Sequence, residues 1–325
     1  MDEQNQKNGL PTLSLRQMHY ALAAADLGNV TAAARRLHIS QPAISAAIAA
    51  LETHYRTPLF IRQPGQGVTL TRFGRTLFSE IRGLLKQARV VAELSGQSGP
   101  LRGEITIGIY EALAPYYLPA ILTRLRQELP DVRVGFFEAP LDELPARLHN
   151  GGADLCISYD VGLDDEIEAK TLYSLRPFIL APPGHPIARK RGVHLRELHG
   201  KALVLLDQEA SAQYVLGLLH AHGVRPGSVL RAQSFELQRS LVANGLGLAL
   251  SHTRPLAETS YDGKPLAAVP VMDRIEPQRV LLTTSRRHRQ TPVAGAVGAA
   301  VANLFAALPQ AGFGSGILIS RKKRA

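Results

Sequence analysis

The sequence predicts an α/β protein that begins with a separate helical module and a short β-hairpin. Helical periodicity covers 13–95, a run of Gly, Gln, Ser and Pro follows at 96–100, and strand and helix patterns then alternate. Such alternation is typical of a mainly parallel sheet with helices on both faces. The chain has 325 residues, 45% of them hydrophobic and 20% charged, which suits two or three globular domains.

The first informative segment, 29–52, shows the pattern of two short amphipathic helices. Ser40 is the expected N-cap of the second helix, with a hydroxyl that accepts a backbone hydrogen bond. Pro42 falls in the first turn, where its missing N–H does little harm. Two short helices joined by a three-residue turn form a helix-turn-helix. The apolar stripes are Val30, Ala33, Ala34 and Leu37, then Ile44, Ile48 and Leu51.

The outward positions of this segment are candidates for DNA contact. In a DNA-reading helix-turn-helix, the N-terminal end of the second helix enters the major groove. Gln41 suits an adenine edge and Ser45 suits a base or a phosphate, whereas alanines offer only methyl contacts. A helix pair packed for structure alone would show the same spacing, so both interpretations stay open here. The candidates are Thr31, Ser40, Gln41, Pro42, Ser45, Ala46 and Ala49.

A β-hairpin, or wing, is predicted next. Two β-like runs at 58–62 and 68–71 flank the Gly- and Gln-rich stretch 63–67. Arg62 and Arg72 lie beside the hairpin and are expected to reach DNA phosphates, which supply most of the affinity of such proteins.

A long helix after the wing carries a heptad-like apolar seam. Such a seam predicts pairing with a second copy of the chain, which would give two reading heads for a two-fold operator. The alternative is a helix packed on its own domain. The seam residues are Phe73, Leu77, Ile81, Leu84, Ala88 and Val91.

The charge distribution also favours a nucleic-acid partner. Residues 1–95 contain eleven Lys and Arg against six Asp and Glu, and the last five residues include four basic side chains. The rest of the chain is almost neutral. A basic module beside a neutral bulk is typical of nucleic-acid-binding proteins.

Other protein classes find no support in the sequence. The single cysteine, Cys156, excludes a disulfide framework, and its apolar strand suits a small buried side chain better than a sensor. Apolar runs fall short of the ~18 residues of a membrane span, and no secretory signal is visible, so a cytoplasmic location is expected. Complete nucleophile, metal-ligand and phosphate-loop motifs are absent, so we expect no enzyme activity, no cofactor and no metal.

Over 14–95 the chain resembles the winged helix-turn-helix and linker helix of LysR-type transcriptional regulators. It differs from the family at 46, 47, 49 and 50, where alanines replace the usual polar or basic residues, and at Arg56, where glycine is usual. Wing contacts and DNA shape are therefore expected to carry more of the specificity. The matching residues are Leu15, Arg16, Gln17, Ala33, Ala34, Leu37, Ser40, Gln41, Pro42, Ala43, Ser45, Ile48, Leu51, Glu52, Leu59, Phe60, Arg62, Leu70, Thr71 and Gly74.

The resemblance extends to about residue 305 and implies an effector domain like that of periplasmic binding proteins, with a ligand cleft between two α/β lobes. The implied partners are double-stranded promoter or operator DNA, a small-molecule effector, RNA polymerase, and further copies of the chain in a homotetramer built as a dimer of dimers. The implied domains are a winged helix-turn-helix at 1–70, a dimerisation helix at 71–96, an effector domain at 97–308 (lobe I 101–170 and 267–305, lobe II 171–266), and a disordered tail at 309–325.

The same resemblance implies which residues line the cleft. Relatives that bind oxyanions or carboxylates often have Ser or Thr in the segment that corresponds to 109–113, where this chain has Glu111. A Glu there would repel an anion and suit an amine. We therefore expect an aromatic or amine-bearing effector. Alternatively, Glu111 faces solvent or closes an internal salt bridge, and Ser211 and Ser234 only cap helices. The candidates are Tyr110, Glu111, Ala112, Leu113, Tyr159, Asp207, Ser211, Ser234 and Phe235.

A rival interpretation is a transport-type solute-binding protein with no DNA function. Its cleft domain would look the same. It would, however, need an export signal and would not carry the helix-turn-helix of residues 29–52. The N-terminal segment therefore discriminates between the two functions.

Overall fold

The computed structural model describes residues 13–63, 67–93, 101–253 and 258–308. The described residues form two compact units, one that includes 13–63 and 67–93 and one that includes most of the described residues from 101 onward. The predicted linker at 96–100 and the predicted tail at 309–325 lie outside the described residues. Within the described part, no helix is both long enough and apolar enough to cross a membrane.

The N-terminal unit contains three short helices, a hairpin and one long helix. The two hairpin strands pair antiparallel, with Phe60 opposite Leu70, so the predicted wing is present. The elements are α1 (Leu15–Leu27), α2 (Val30–Leu37), α3 (Gln41–Tyr55), β1 (Phe60–Gln63), β2 (Gly67–Leu70) and α4 (Arg72–Glu93).

The helix starts follow from local side-chain chemistry, with one correction. The Asn29 side chain caps α2 by accepting from the Ala32 N–H at 2.9 Å. Ser40 stands at the N-cap of α3, but its hydroxyl makes no capping hydrogen bond, so that part of the prediction is wrong. The physical reason is that Pro42 has no N–H to donate, while the Ala43 N–H donates to the Ser40 carbonyl at 3.1 Å.

The apolar residues of the α4 seam lie in two environments: some are buried within their own unit and others are exposed. Leu77 and Ile81 are 8% and 3% exposed and pack into the core of their own unit, so the structure corrects their assignment to a dimer seam. These two side chains follow the intramolecular alternative because α4 lies against α1 and the hairpin. Leu84 and Val91 are 46% and 68% exposed. An apolar face therefore remains on the later turns of the helix.

The second unit alternates strands and helices, with two short 3₁₀ segments at Pro186–Arg189 and Leu195–Leu198. Its elements are β3 (Gly103–Tyr110), α5 (Ala114–Glu128), β4 (Val132–Ala139), α6 (Glu143–His149), β5 (Leu155–Tyr159), β6 (Ile167–Leu175), β7 (Phe178–Ala181), β8 (Ala202–Leu206), α7 (Glu209–Ala221), β9 (Ser228–Ala232), α8 (Phe235–Ala243), β10 (Ala249–Ser251), β11 (Ala267–Pro270), β12 (Gln278–Ser285) and α9 (Pro292–Ala306).

The first lobe is built on a five-stranded sheet with the order β4-β3-β5-β12-β6. Strand β3 runs parallel to β4 and β5, whereas β12 runs antiparallel to β5 and β6. Gly108 lies at the centre of the sheet, where an added Cβ would come within 2.6 Å of the Cys156 sulfur. Only glycine fits at this position without a shift of its neighbours.

The second lobe contains a three-stranded antiparallel sheet with the order β10-β7-β11 and a parallel pair, β8 and β9. The backbone joins the two parts next to β10, since the Val204 N–H donates to the Leu248 carbonyl at 2.8 Å. Helices α7 and α8 each begin just after one strand of the parallel pair. Both helix starts therefore lie at the carboxyl ends of these strands, where ligands bind in such sheets.

The sheets differ from the sequence prediction in two respects. Among the described strands of this unit, three pairs are parallel and four are antiparallel, so the sheets are mixed rather than mainly parallel. The lobe boundaries also shift, because β6 pairs with β12 as far as Leu175 and β11 pairs with β7 in the second lobe. The chain therefore crosses between lobes after Leu175 and before Gln278, not at 170 and 267.

Candidate DNA-reading surface and effector cleft

Helix α3 separates a buried face from an exposed one. Ile44, Ile48 and Leu51 are at most 4% exposed and lie in the core of the N-terminal unit. Ala47 is also buried, at 3% exposure, so it is not a substitution on the outer surface. Gln41, Pro42, Ala46 and Ala49 are exposed, and Ser45 is partly exposed.

The other predicted DNA contacts surround this face. Thr31 and Ser40 are exposed, as is Arg72 at the start of α4. Arg62 lies on β1, but its side chain is outside the described part of the structure.

The wing is fixed to the helices by hydrogen bonds that the sequence analysis did not assign. A carboxylate oxygen of Glu52 on α3 accepts from the Leu59 N–H at 2.7 Å and from the Phe60 N–H at 3.4 Å. The Thr71 hydroxyl donates to the Pro58 carbonyl and accepts from the Gly74 N–H, both at 2.9 Å. These bonds hold the hairpin at a defined position relative to α3.

Arg56 ends α3 in the left-handed region, with φ 49°. This backbone conformation carries a steric cost for residues with a Cβ atom and is free of it for glycine. The backbone is therefore strained at Arg56, directly after the last residue of α3.

A buried cavity of about 50 Å³ lies between the two lobes of the second unit. The cavity is apolar and aromatic, with hydroxyl, amide and imidazole groups, and its described lining contains no Lys, Arg, Asp or Glu. Its lining residues are Tyr110, Ala112, Leu141, Tyr159, Val161, Leu205, Leu206, Ser211, Tyr214, Val215, Phe235, Gln238, Leu250, Ser251, His252, Thr253 and Gln278.

His252 is the most unusual group of this inner cavity. The residue is 8% exposed, and its Nε2 atom has no hydrogen-bond partner among the described residues. Burial lowers the pKa of His252 to about 4, with the Asp160 carboxylate acting in the opposite direction. The imidazole is therefore neutral near pH 7. Nearby, the hydroxyls of Tyr159 and Thr253 are hydrogen bonded at 2.5 Å across the lobes.

An outer groove of about 370 Å³ adjoins the inner cavity and shares Ala112, Leu206 and Phe235 with it. The groove combines three carboxylates with aromatic rings, and no Lys or Arg of the described part of the chain lines it. Its lining residues are Glu111, Ala112, Pro115, Tyr116, Glu138, Leu206, Gln208, Gln233, Ser234, Phe235, Glu236 and Tyr261.

Gln208 connects the two lobes at the border of the groove. The Tyr110 hydroxyl donates to Gln208 Oε1 at 3.0 Å, and Gln208 Nε2 donates to Glu111 Oε1. Glu111 is partly exposed and forms no ion pair within the described residues, so the alternative of an internal salt bridge is not supported there. Burial, with the Glu138 and Glu143 charges, raises the pKa of Glu111.

Two family models match this arrangement. The model for the LysR substrate binding domain matches residues 98–306, and the model for bacterial regulatory helix-turn-helix proteins of the lysR family matches residues 15–75. The chain belongs to the LysR family. It is a DNA-binding transcriptional regulator with an effector-binding domain, and the solute-binding interpretation is not supported.

Individual relatives agree with this assignment to the LysR family. The DNA-binding transcriptional dual regulator OxyR of Escherichia coli (strain K12) is 29% identical over 241 residues, which cover 73% of this chain and 78% of that protein. The structure of HinK, a LysR family regulator from Pseudomonas aeruginosa, shares 31% identity and a TM-score of 0.61 over 90% of this chain and 99% of that one. Full-length OxyR from the same organism shares the fold, with a TM-score of 0.75 at 21% identity over 92% and 96%.

The structure of this LysR-family regulator brings together most of the predicted effector residues. Tyr110, Tyr159 and Ser211 line the inner cavity, Glu111 and Ser234 line the groove, and Ala112 and Phe235 line both. Ser234 also caps α8 by accepting from the Leu237 N–H at 3.2 Å.

Two of the predicted effector residues do not line the cleft. Leu113 is fully buried in the core of the first lobe because it precedes α5 and packs beneath it. Asp207 points to Arg231, with 3.3 Å between Oδ1 and Nη1. Gln208 falls within the segment 207–211, which the resemblance places at the cleft, although it is not among the named candidates. Tyr214 and His252 carry no recognisable sequence pattern, because each is a single Tyr or His in an apolar stretch.

Proposed function

We propose that this LysR-family regulator reads operator DNA with the N-terminal end of α3 and the wing, and senses a small molecule between its two lobes. The observation that carries the proposal is the division of α3: its apolar side chains are buried, and the short side chains at its N-terminal end are exposed. An exposed face at this end is what major-groove entry requires.

The DNA contacts divide into base and phosphate contacts. Gln41 and Ser45 are the candidates for base edges, supported by Thr31, Ser40 and Pro42 at the start of the helix. Ala46 and Ala49 allow close approach and methyl contact with thymine. Arg62 and Arg72 would bind phosphates on either side of the wing. With so few base-reading side chains, DNA shape carries much of the specificity.

The exposed part of α4 supports dimerisation. Leu84, Ala88 and Val91 follow a heptad-like spacing, and Leu84 and Val91 are exposed. Phe73 is 38% exposed, with its ring 5.7 Å from that of Tyr55. We propose that pairing through this face, with further contacts between effector domains, gives a dimer of dimers. Such a tetramer would occupy two sites, bend the DNA between them and act with RNA polymerase at a promoter in the cytoplasm.

Signal transfer would use the hydrogen bonds that cross the cleft. Gln208 and Thr253 lie on the second-lobe side of the cleft, and their partners Tyr110, Glu111 and Tyr159 lie on the first-lobe side. An effector that changes these contacts alters the relation of the lobes only by its difference in affinity for the two arrangements. That difference would re-space the reading heads.

Cys156 is not a suitable sensor of hydrogen peroxide in this chain. A relative from Escherichia coli O157:H7 is named hydrogen peroxide-inducible genes activator and is 29% identical. This chain has one cysteine, Cys156, which is fully buried in β5. A disulfide within one chain requires two cysteines, and a buried thiol is poorly reactive.

Gel-shift titration at two salt concentrations, with the DNA upstream of the gene that encodes this chain, tests the DNA-reading proposal. Steep salt dependence and preference over unrelated DNA are expected. Gln41→Ala should weaken binding to the preferred sequence by about 1–3 kcal/mol. Thr53→Ala, an exposed change near the other end of α3, should have no effect and serves as the control. Equal binding by Gln41→Ala and the parent chain would contradict base reading by α3.

Arg72→Ala should instead weaken binding to all sequences alike, and it should reduce the salt slope by about one. Salt-insensitive binding, or none to any upstream fragment, would overturn the regulator proposal as a whole.

A further inference from the structure

We propose that the outer groove binds the ammonium group of an organic amine at Glu111, where the ammonium replaces the Gln208 amide. This inference rests on the proposed function, because it assigns a ligand class to the same effector cleft. The ligand would be a compact amine with an aromatic body and an uncharged hydrogen-bond donor.

The charges of the groove select the sign of the ligand. Glu111, Glu138 and Glu236 line it, and no Lys or Arg does among the residues that the structure describes. Glu236 is already neutralised by Arg239, with 3.2 Å between Oε2 and Nε. Neither Glu111 nor Glu138 forms an ion pair within the described residues. A carboxylate ligand would meet two uncompensated negative charges there, whereas an ammonium would neutralise them.

The aromatic walls select the body of the ligand. Tyr116 from the first lobe and Phe235 from the second contact each other edge to face, with ring centroids 6.1 Å apart. Tyr261 stands at the rim and is 84% exposed. Faces of such rings attract organic cations and pack against other rings. A groove with carboxylates and aromatic faces therefore suits an aromatic amine.

A second observation independently indicates a missing ligand group. The neighbouring inner cavity contains the neutral His252 imidazole, whose Nε2 has no partner although the residue is more than nine-tenths buried. Buried polar atoms without a partner are uncommon and costly. The cavity, at about 50 Å³, accommodates a small group and not a whole ligand. We assign it to an uncharged donor, such as a hydroxyl, carried by the amine.

The position of Gln208 explains how binding would be sensed. Its amide group donates a hydrogen bond to Glu111 Oε1 and accepts one from the Tyr110 hydroxyl, and so connects Glu111 to Tyr110. An ammonium at Glu111 makes a stronger, charge-assisted hydrogen bond than an amide does. The amine would therefore release one of the contacts between the lobes, which is a difference between the bound and free states.

Isothermal titration calorimetry of the full-length protein with tyramine tests the inference. 4-Hydroxyphenylacetate, which has the same ring and hydroxyl with the opposite charge, is the matched ligand. We expect tyramine to bind at least tenfold more tightly. Glu111→Gln should weaken tyramine binding at least tenfold, whereas Glu104→Gln, at the exposed start of β3, the strand that precedes Glu111, should leave it unchanged.

Two further variants keep the test independent of folding effects. Tyr261→Ala changes an exposed side chain and should weaken tyramine binding several-fold. Gln208→Ala removes the competing amide and should tighten it several-fold. Tighter binding of 4-hydroxyphenylacetate, absence of tyramine binding, or equal tyramine affinity of Glu111→Gln and the parent overturns the amine inference. The gel-shift experiment decides the regulator proposal separately, since it requires no ligand.

Discussion

The reading helix and the effector cleft are surfaces of two different kinds within one chain. The buried and exposed faces of α3 are set by spacing within Gln41–Tyr55. The cleft gathers side chains that are far apart in sequence, such as Tyr110 and Gln208, which are 98 residues apart. A local sequence pattern can specify which residues form a surface, whereas a site built from distant segments is specified only by the packing that assembles it.

The largest effect on stability is expected for a substitution on the buried face of α3. Ile44 is fully buried, so Ile44→Ala should lower the free energy of unfolding by about 2–5 kcal/mol. Ala49→Ser, on the exposed face, should change it by less than about 0.5 kcal/mol. Urea unfolding followed by circular dichroism measures both. A similar loss for the two variants would show that the division of α3 into two faces is wrong.

The next largest effect is expected in the pH dependence of stability, which tests whether the cleft keeps the His252 imidazole neutral. The folded-state pKa of about 4 lies below the usual 6.5, so the unfolded chain binds the additional proton between these values. The contribution of His252 to the free energy of unfolding is therefore complete above pH 6.5. Lowering the pH to about 4 reduces the free energy of unfolding by up to ~3 kcal/mol.

Unfolding measured across this pH range should show a shallower dependence for His252→Asn than for the parent chain. His220→Asn changes an exposed histidine on α7 and should retain the parent's slope. Identical slopes for His252→Asn and the parent would indicate that the imidazole is not held neutral.

Two glycines of the effector unit differ in their surroundings: Gly108 is closely packed, and Gly217 has open space beside it. Gly108→Ala would force its Cβ against the Cys156 sulfur and should destabilise the protein by about 1–3 kcal/mol. Gly217 on α7 has no atoms near an added Cβ, so Gly217→Ala should stabilise by about 0.5–1 kcal/mol. Thermal unfolding distinguishes the two. A stabilising Gly108→Ala would contradict the tight packing of β3 on β5.

The smallest effect concerns the strained end of α3. Arg56→Gly removes the steric cost of the left-handed conformation, partly offset by the greater freedom of glycine in the unfolded chain, and should stabilise by about 1 kcal/mol or less. Arg56→Ala retains the Cβ atom and should bring no such gain. An increase in melting temperature for Arg56→Ala as large as that for Arg56→Gly would assign the effect to charge rather than to backbone.

The sequence predicted the helix-turn-helix, the hairpin and the exposed candidates on α3, because each depends on neighbours within a few turns. It misassigned Leu77 and Ile81, since one apolar stripe can pack on its own domain or on a second chain. The Ser40 capping bond failed for a local reason, the missing N–H of Pro42, which the sequence already contained.

The cleft was predicted in its location but only partly in its chemistry. The family resemblance placed Tyr110, Glu111 and Phe235 at the site, and the structure agrees. Gln208, the partner of Tyr110 and Glu111, and His252, beside Tyr159, belong to the second lobe. No periodicity in the sequence distinguishes them from other polar residues of that lobe.

The sequence by itself determined the LysR-type reading head, its wing and the presence of two α/β lobes. The tertiary structure decided where the chain crosses between lobes, the antiparallel course of β12, and the hydrogen bonds from Gln208 to Tyr110 and Glu111. The physical reason is distance along the chain. Helix periodicity is fixed by contacts three or four residues apart, whereas the cleft depends on contacts about one hundred residues apart, which only the folded packing brings together.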